Sequence, residues 1–554
     1  MARATRMSIS RRDALASLGG VATLALPAGA KGKARAGPVR FEHGIASGDP
    51  TAAGAILWTR ATMDGATADI PLDWCVARAP GEKPVRRGRT LARAARDFTA
   101  KLEVSGLTPG AEHVYWFEAA DGARSPVGRF RTLPNDRTED WVIAAASCAT
   151  YSIGLFNAYD AIARLPRVDM ILHLGDYIYE YAPPDPSHPE IVPGREVEPA
   201  HEILTLDDYR LRHAQVKRDP DAQAMHARAA MVAVWDDHET ANNSWLNGAQ
   251  NHNPATEGEW SRRKAAAMQA YFEWMPIRDP LPGRPWEAIN RAFEIGDLAT
   301  VAMVETRLLA RTKEEDATAD PAAMREALAR VADPARELLG PEQQKWLEQT
   351  LAASTAAGKP WQLLGNQVVM GRVAWPDLKR AYPPVELDAI LARQSASLRE
   401  RIRDLFARQR PGLPWSLDMW DGYPAARERL YACFARAKSR PIVLSGDSHA
   451  SWANDLHDGQ GRPVAVEFGV PGVTSAGLGL LLPGAGRHLA EANSEILFCD
   501  QDRRGFILLT LTRDEVLVDL RAVSTILAKP FTVDTIARFR CRPSVAGLEA
   551  AAVA

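Results

Sequence analysis

The 554-residue chain holds only five cysteines, Cys75, Cys148, Cys433, Cys499 and Cys541, an odd number scattered along its length. That spread excludes a disulfide framework, and no Cys-x-x-Cys pair marks a zinc site. One disulfide is possible. Beyond the N-terminus no stretch reaches the ~18 uninterrupted apolar residues that a membrane span needs, so no transmembrane anchor is expected. Neither sign of charge is in excess: 67 Lys and Arg face 69 Asp and Glu, for a formal net charge of −2. Such a balance argues against a general polyanion binder, nucleic acid included, while leaving room for a local basic patch. There is no internal repeat and no long low-complexity tract. What remains is an ordinary globular composition in a chain too long for one core, and the usual domain size predicts roughly two to four domains.

The N-terminus is the first informative stretch. Ser10-Arg11-Arg12-Asp13-Ala14-Leu15 precedes a mildly apolar run to Leu26, followed by Ala28-Gly29-Ala30 and Ala34-Arg35-Ala36. A basic start, a short apolar region and an A-x-A-like site read as a signal peptide. The paired arginines resemble a twin-arginine signal, with Ala14 where a Phe is common. A leader over 1–36, cut after Ala36 or Ala30, is therefore expected, and with it the twin-arginine machinery as a partner and a periplasmic or extracellular destination. The bland alternative is a frayed basic N-terminus.

From Phe41 to about Pro134 the chain reads as short strands and turns, among them "GAILWTR" and "DWCVAR". In "LEVSGLTPGAEHVYWFEAADG" a leucine, a Pro-Gly turn and Tyr115 in a strand resemble the tyrosine corner of immunoglobulin-like and fibronectin-like sandwiches. These features predict a β-sandwich over 37–136. After Asp140 strands and helices alternate. "WVIAAASC", "LFNAYDAIARL" and "VDMILHLGD" form a βαβ unit whose continuous apolar strands suit a covered parallel sheet. "AAMVAVWDDHE", "WQLLGNQVVM", "PIVLSGDSHA" and "PVAVEFGV" add strands, and "GFILLTLTRDEVLVDLRAV" predicts a terminal hairpin. An α/β domain is expected over 140–525, with 526–554 as a C-terminal extension.

Four apolar strands end in groups that can bind metal: Cys148; Asp176 with Tyr177 and Tyr179 beyond; Asp236, Asp237, His238 and Glu239; and Asp447 with His449. Ligand sites of open α/β sheets gather at the carboxyl ends of strands, so adjacent strands would bring all of these into one crevice. Buried neighbouring carboxylates repel and resist ionisation. Cations relieve that penalty, and carboxylate, imidazole and phenolate are their ligands. Strand alternation lets only one of Asp236 and Asp237 face such a site and leaves open which. Asn242 and Asn243 lie close enough to "DDHET" to serve the site or merely to cap a turn. Asn366 and Arg307 also end strands and are candidate phosphate contacts. His188, His201, His213, His226 and His252 lack strand-end placement and are expected to be structural.

In this order and spacing, "FEHGIASGDP…AILWTR", "SC", "GDYIYE", "WDDHE", "LGPEQQKWL" and "SGDSHAS" resemble the alkaline phosphatase D (PhoD-like) family from Phe41 to about Val523. "GDYIY" is also similar to the Gly-Asp-x-x-Tyr motif of purple acid phosphatases. The resemblance implies an N-terminal β-sandwich followed by a metallophosphatase αββα sandwich. It implies hydrolysis of phosphate monoesters or diesters, with Fe(3+) and Ca(2+) the expected metals and other divalent ions possible. By motif, Cys148, Asp176, Tyr179 and His449 would hold iron, Asp176 would bridge to a second metal, and Asp237 and Asp447 would be candidate ligands of that second ion. His238 would be the general acid or phosphate contact in an in-line attack by a metal-activated hydroxide. Glu305, where relatives often have Asp, departs from the pattern. A phospholipase D-like phosphodiesterase is the alternative on this scaffold, and a secreted binding protein with a structural metal site is the alternative of another class. Nothing in the sequence speaks to oligomeric state.

Overall fold

The computed structural model describes residues 37–183, 191–316, 320–543 and 545–553. The expected leader and His188 lie outside them. Seven strands come first: β1 (Ile45–Thr51), β2 (Gly54–Arg60), β3 (Ile70–Ala77), β4 (Arg86–Ala92), β5 (Thr99–Val104), β6 (Glu112–Ala119) and β7 (Gly128–Arg131). Strands β1, β2 and β5 face a sheet of order β4-β3-β6-β7, and Ile45, Leu57, Leu72, Val76 and Phe117 fill the space between. Tyr115 is buried there too, edge-on to Phe130 with centroids 5.8 Å apart. Its hydroxyl lies beside Ser47, and its ring acts by packing.

The remaining strands build two larger sheets. Parallel β8 (Asp140–Ala146), β9 (Met170–His173) and β10 (Ala230–Ala233) centre the first. On one side β10 meets β1 at Gly48 and Met231, tying the N-terminal strands to this sheet. The second sheet contains β11 (Arg291–Ile295), β12 (Ala299–Met303), β13 (Trp361–Asn366), β14 (Ile442–Ser445), β15 (Ser451–His457), β16 (Pro463–Gly469) and β17 (Ile496–Asp500), in the order β11-β12-β13-β14-β16-β15-β17. The chain then returns to the first sheet with the hairpin β18 (Arg504–Thr512) and β19 (Val516–Val523), β18 lying antiparallel to β8. Strands β20 (Val533–Cys541) and β21 (Glu549–Ala550) follow, so the stretch read as an extension forms that sheet's outer edge.

The strands are apolar on both faces because both faces are covered. Val301, Leu363 and Leu444 point into the core between the sheets, joining Ile143, Ile171 and Met231 of the first. Their neighbours Ala302, Leu364 and Val443 point outward, onto Leu347 and Leu351 of the helix Pro341–Ala356 and Leu430 and Phe434 of the helix Pro424–Arg436. Each such Leu or Val stabilises the fold by about 1.5–3 kcal/mol. The result is helix, sheet, sheet, helix, with a β-sandwich in front, as the resemblance implies.

Outside the first sheet lies a buried group of histidines, among them His43, His173, His213 and His226. Tyr159 Oη meets His173 Nε2 at 2.7 Å, and Tyr177 Oη and Lys217 Nζ both lie 2.9 Å from His226 Nε2. Burial lowers His43, His173 and His213 to about 3 and holds His226 well below its ordinary value. These imidazoles are neutral when folded but take a proton at about pH 6.5 once unfolded. Between those values the unfolded state binds more protons, so stability is complete above the unfolded pKa and falls as pH drops through the window. Each histidine contributes about 1.4 kcal/mol per pH unit. Denaturant unfolding at pH 7 and pH 5 is expected to show a drop of several kcal/mol, reduced in a His213→Gln variant; a pH-independent midpoint would contradict the neutral cluster.

Candidate metal centre

Strands β8, β9 and β10 of one sheet and β12, β13 and β14 of the other run parallel within their sheets, and their carboxyl ends converge on one crevice. Beyond β8, Cys148 turns through φ 59°; beyond β9, Asp176 through 55°; beyond β14, Asp447 and His449 through 60° and 58°. Left-handed backbone at residues with a Cβ costs about 1–3 kcal/mol each and persists only where the surroundings enforce it. Here it aims four side chains inward. Gly175 (φ 100°) enables the closest approach, since a Cβ on it would lie 2.4 Å from the Cβ and N of Asp236.

The functional atoms form three linked clusters, within each of which they lie no more than 4.8 Å apart: Cys148, Asp176 and His449; Asp176, Asp237 and His238; Asp236, Asp237 and Asp447. Asp176 belongs to two clusters and so does Asp237. Tyr179 completes the first, its hydroxyl donating to Asp176 Oδ2 at 2.9 Å and lying 3.3 Å from His449 Nε2 and 2.8 Å from Ser475 Oγ. Asp176 Oδ1 and Asp237 Oδ1 are buried without any hydrogen-bond partner. Leaving such an oxygen unsatisfied costs about 1–3 kcal/mol, more when it is charged.

Electrostatics follow from this crowding. Burial, opposed by His238 and reinforced by Asp237 and Asp236, pushes Asp176 well above the usual carboxylate range. Asp447 is pushed to about 7 by burial and Asp418. Burial also drives the Cys148 thiol and the Tyr179 phenol well up, Asp176 adding to both. Asp237 differs: burial raises it, but Arg307 and His238 outweigh that and hold it below its ordinary value. His238 is the converse: burial lowers it, yet Asp237, Glu180 and Asp176 raise it well above a free imidazole.

Comparison with known proteins decides what this crevice belongs to. The pattern of the PhoD-like phosphatase family matches residues 143–520, and that of the PhoD-like phosphatase N-terminal domain matches residues 27–134. Alkaline phosphatase D of Bacillus subtilis (strain 168) is 32% identical over 524 residues, 92% of this chain and 82% of that one. The chain belongs to the PhoD-like phosphatase family. It is accordingly a phosphoester hydrolase. A solved structure described as that of PhoD superposes with a TM-score of 0.75 at 30% identity, covering 93% of this chain and 92% of that one.

Not every residue nominated from the sequence of this PhoD-like phosphatase faces the crevice. Asp237 rather than Asp236 presents a carboxylate oxygen that accepts no hydrogen bond, because Asp236 is taken by Arg307, with Nε to Oδ1 at 2.5 Å. Arg307, read as a phosphate contact, is instead a buried counter-ion. It also reaches Asp418 at 2.8 Å, Asp447 at 3.1 Å and Asp237 at 3.6 Å. Asn366 is likewise occupied, donating to Ser445 Oγ at 3.0 Å and to the Val368 carbonyl while accepting from Trp420 Nε1 at 3.2 Å. Asn242 lies at the rim, its side chain bonded to Gln250 and its amide donating to Glu180 Oε1 at 2.6 Å.

Two acids, Glu180 and Asp418, escaped the sequence reading, and a third, Glu239, was named there only as a strand-end group and not for the role it plays. Glu180 Oε2 sits 2.7 Å from His238 Nδ1. Glu239 accepts the backbone amides of Asp176, Tyr177 and Asp236 at 3.0, 2.5 and 2.8 Å, fastening the ends of β9 and β10 to each other. Asp418 joins Arg307 to Arg311. Glu180 and Glu239 stand inside "GDYIYE" and "WDDHE" and were open to notice; Asp418 lies in an irregular loop with no sequence signal.

Proposed function

We propose that this phosphoesterase is metal-dependent, holding a trivalent ion, iron, beside a second, harder cation such as calcium, and that it cleaves phosphate monoesters or diesters after twin-arginine export to the periplasm or beyond. The observation carrying the reading is the pair of buried oxygens that accept no hydrogen bond, Asp176 Oδ1 and Asp237 Oδ1, in clusters that share both residues. A thiol, a phenol, a carboxylate and an imidazole meet on one side, a set that loses its protons most readily to a trivalent ion. Asp237 and Asp447 offer oxygen alone on the other side, as calcium prefers. His449 Nδ1 lies 3.0 Å from the Ala476 carbonyl, which fixes the proton there and leaves Nε2 as the donor atom for a metal. All five cysteines are unpaired, compatible with a chain that folds in a reducing compartment before it is exported.

When bound, such cations supply Lewis acidity and an activated water. The chain's own residues do the rest. Glu180 holds Nδ1 of His238, and the imidazole stacks on Tyr179 with centroids 4.2 Å apart, so its Nε2 is fixed 4.0 Å from Asp237 Oδ2. A proton is thereby stored at Nε2 for the departing alkoxide. Arg307 keeps Asp236, Asp418 and Asp447 compatible with burial when several would otherwise refuse charge.

Colour provides the test. Purified protein is expected to absorb visible light through Tyr179 and Cys148 bound to iron, and Tyr179→Phe is expected to lose or shift that band. A colourless, fully active wild type would remove iron from the proposal.

A further inference from the structure

Next to the metal centre lies a cavity of about 620 Å³ whose walls are largely apolar, including Ile153, Pro193, Leu480 and Ile526. It adjoins the crevice. Ala476 and Leu480 line both this cavity and the smaller one, about 270 Å³, that opens over Asp447 and Ser448. The segment between the two spaces touches the ligands directly: Ser475 Oγ bonds Tyr179 Oη, and the Ala476 carbonyl holds His449 Nδ1. Thr474 faces the cavity from the same segment.

In that apolar wall stands Arg504, the first residue of β18. Its Nη1 donates to the carbonyls of Asp502 and Arg503 at 3.2 and 3.1 Å, while its Nε is buried without a partner. No carboxylate of the described residues forms an ion pair with it. Of the two nearest carboxylates, Asp500 is held by Arg503 at 2.6 Å, and Asp502, which lines the cavity beside Arg504 and adds its charge to the surroundings, accepts the Gly484 amide at 3.2 Å through each oxygen. A guanidinium half-buried in apolar surroundings without a counter-ion is costly, and it stays charged, its pKa lowered by burial only to about 10.

We infer that this cavity is a second subsite, in which Arg504 binds an anionic group carried on one ester arm of a substrate whose phosphorus lies at the metal centre. The inference rests on the phosphoesterase reading and narrows it, from phosphate esters at large to esters bearing a second negative charge on an apolar stem. Arginine suits that task because its planar fork pairs with phosphate or carboxylate through parallel N–H groups. The apolar walls exclude water from the pair and accept the stem. Phosphate and carboxylate share this chemistry, so the experiment separates them.

The test uses p-nitrophenyl alkyl phosphodiesters with arms of graded length ending in hydroxyl, carboxylate or phosphate, assayed with metal-loaded enzyme. At a matching length the wild type is expected to favour an anionic arm over the hydroxyl arm by about tenfold or more in kcat/KM, chiefly through KM, as for a charge-assisted hydrogen bond. Arg504→Gln is expected to collapse that ratio, and Arg504→Lys to retain part of it. A larger preference for phosphate than for carboxylate identifies the anion as a second phosphoryl group, and the reverse order identifies a carboxylate. A wild type indifferent to the arm's charge at every length, or an Arg504→Gln variant with the preference intact, overturns the subsite. Absence of turnover on every diester and on p-nitrophenyl phosphate would instead count against the metal-dependent phosphoesterase reading.

Discussion

Asp176→Asn is expected to lower kcat/KM by about 10³-fold or more, since a carboxylate shared by two candidate cation sites would underlie several kcal/mol of transition-state stabilisation. The substitution is nearly isosteric and removes charge from a place where burial already disfavours it. The fold should therefore survive, or even gain stability, in the metal-free protein. Thermal unfolding in chelator is the control: an unchanged or raised midpoint with lost activity assigns the loss to cation binding. Metal content per chain should fall in parallel. Near wild-type activity with undiminished metal would show that Asp176 does not bridge, despite its unpartnered oxygen.

The second large effect belongs to His238. Removing a general acid costs about 10²–10⁴-fold, but only where the leaving group needs a proton. His238→Gln is thus expected to lose about 10³-fold on alkyl phosphates and far less on p-nitrophenyl phosphate, whose phenolate leaves unaided. Glu180→Gln should fall between, because it breaks the bond at Nδ1 that fixes the ring and removes a charge that raises the imidazole pKa. Its signature is a pH profile with the basic limb moved to lower pH, since a less stabilised imidazolium loses its proton earlier. Equal losses on both classes of ester would assign His238 to phosphate binding rather than proton transfer.

Much of this was legible in the sequence because strands write their ends plainly. The run "VDMILHLGD" announces a buried strand, and the Asp that follows it falls where parallel sheets collect ligands. The same logic brought Cys148, Asp237, Asp447 and His449 to one place, and the structure assembles them within a few ångströms. Less legible were residues defined by what lies opposite them. Arg307 looks like an anion receptor in one dimension, and only the convergence of Asp236, Asp418 and Asp447 from other segments makes it a counter-ion. Asn366 ends its strand as a ligand would, yet Ser445 and Trp420 arrive from 79 and 54 residues away to occupy its side chain. The stretch beyond 525 reads as an appendage because β20 is only partly buried, with only the two-residue β21 between it and the sheet's edge.

Diffraction at the iron absorption edge tests most directly whether side chains from separate strands share cations. Crystals of the active protein should show an anomalous peak enclosed by Cys148, Asp176, Tyr179 and His449. A second site should lie next to it, reached by Asp176 and Asp237. Fully active crystals with no density between those side chains would contradict the metal centre, and with it the roles given to Asp176 and Asp237.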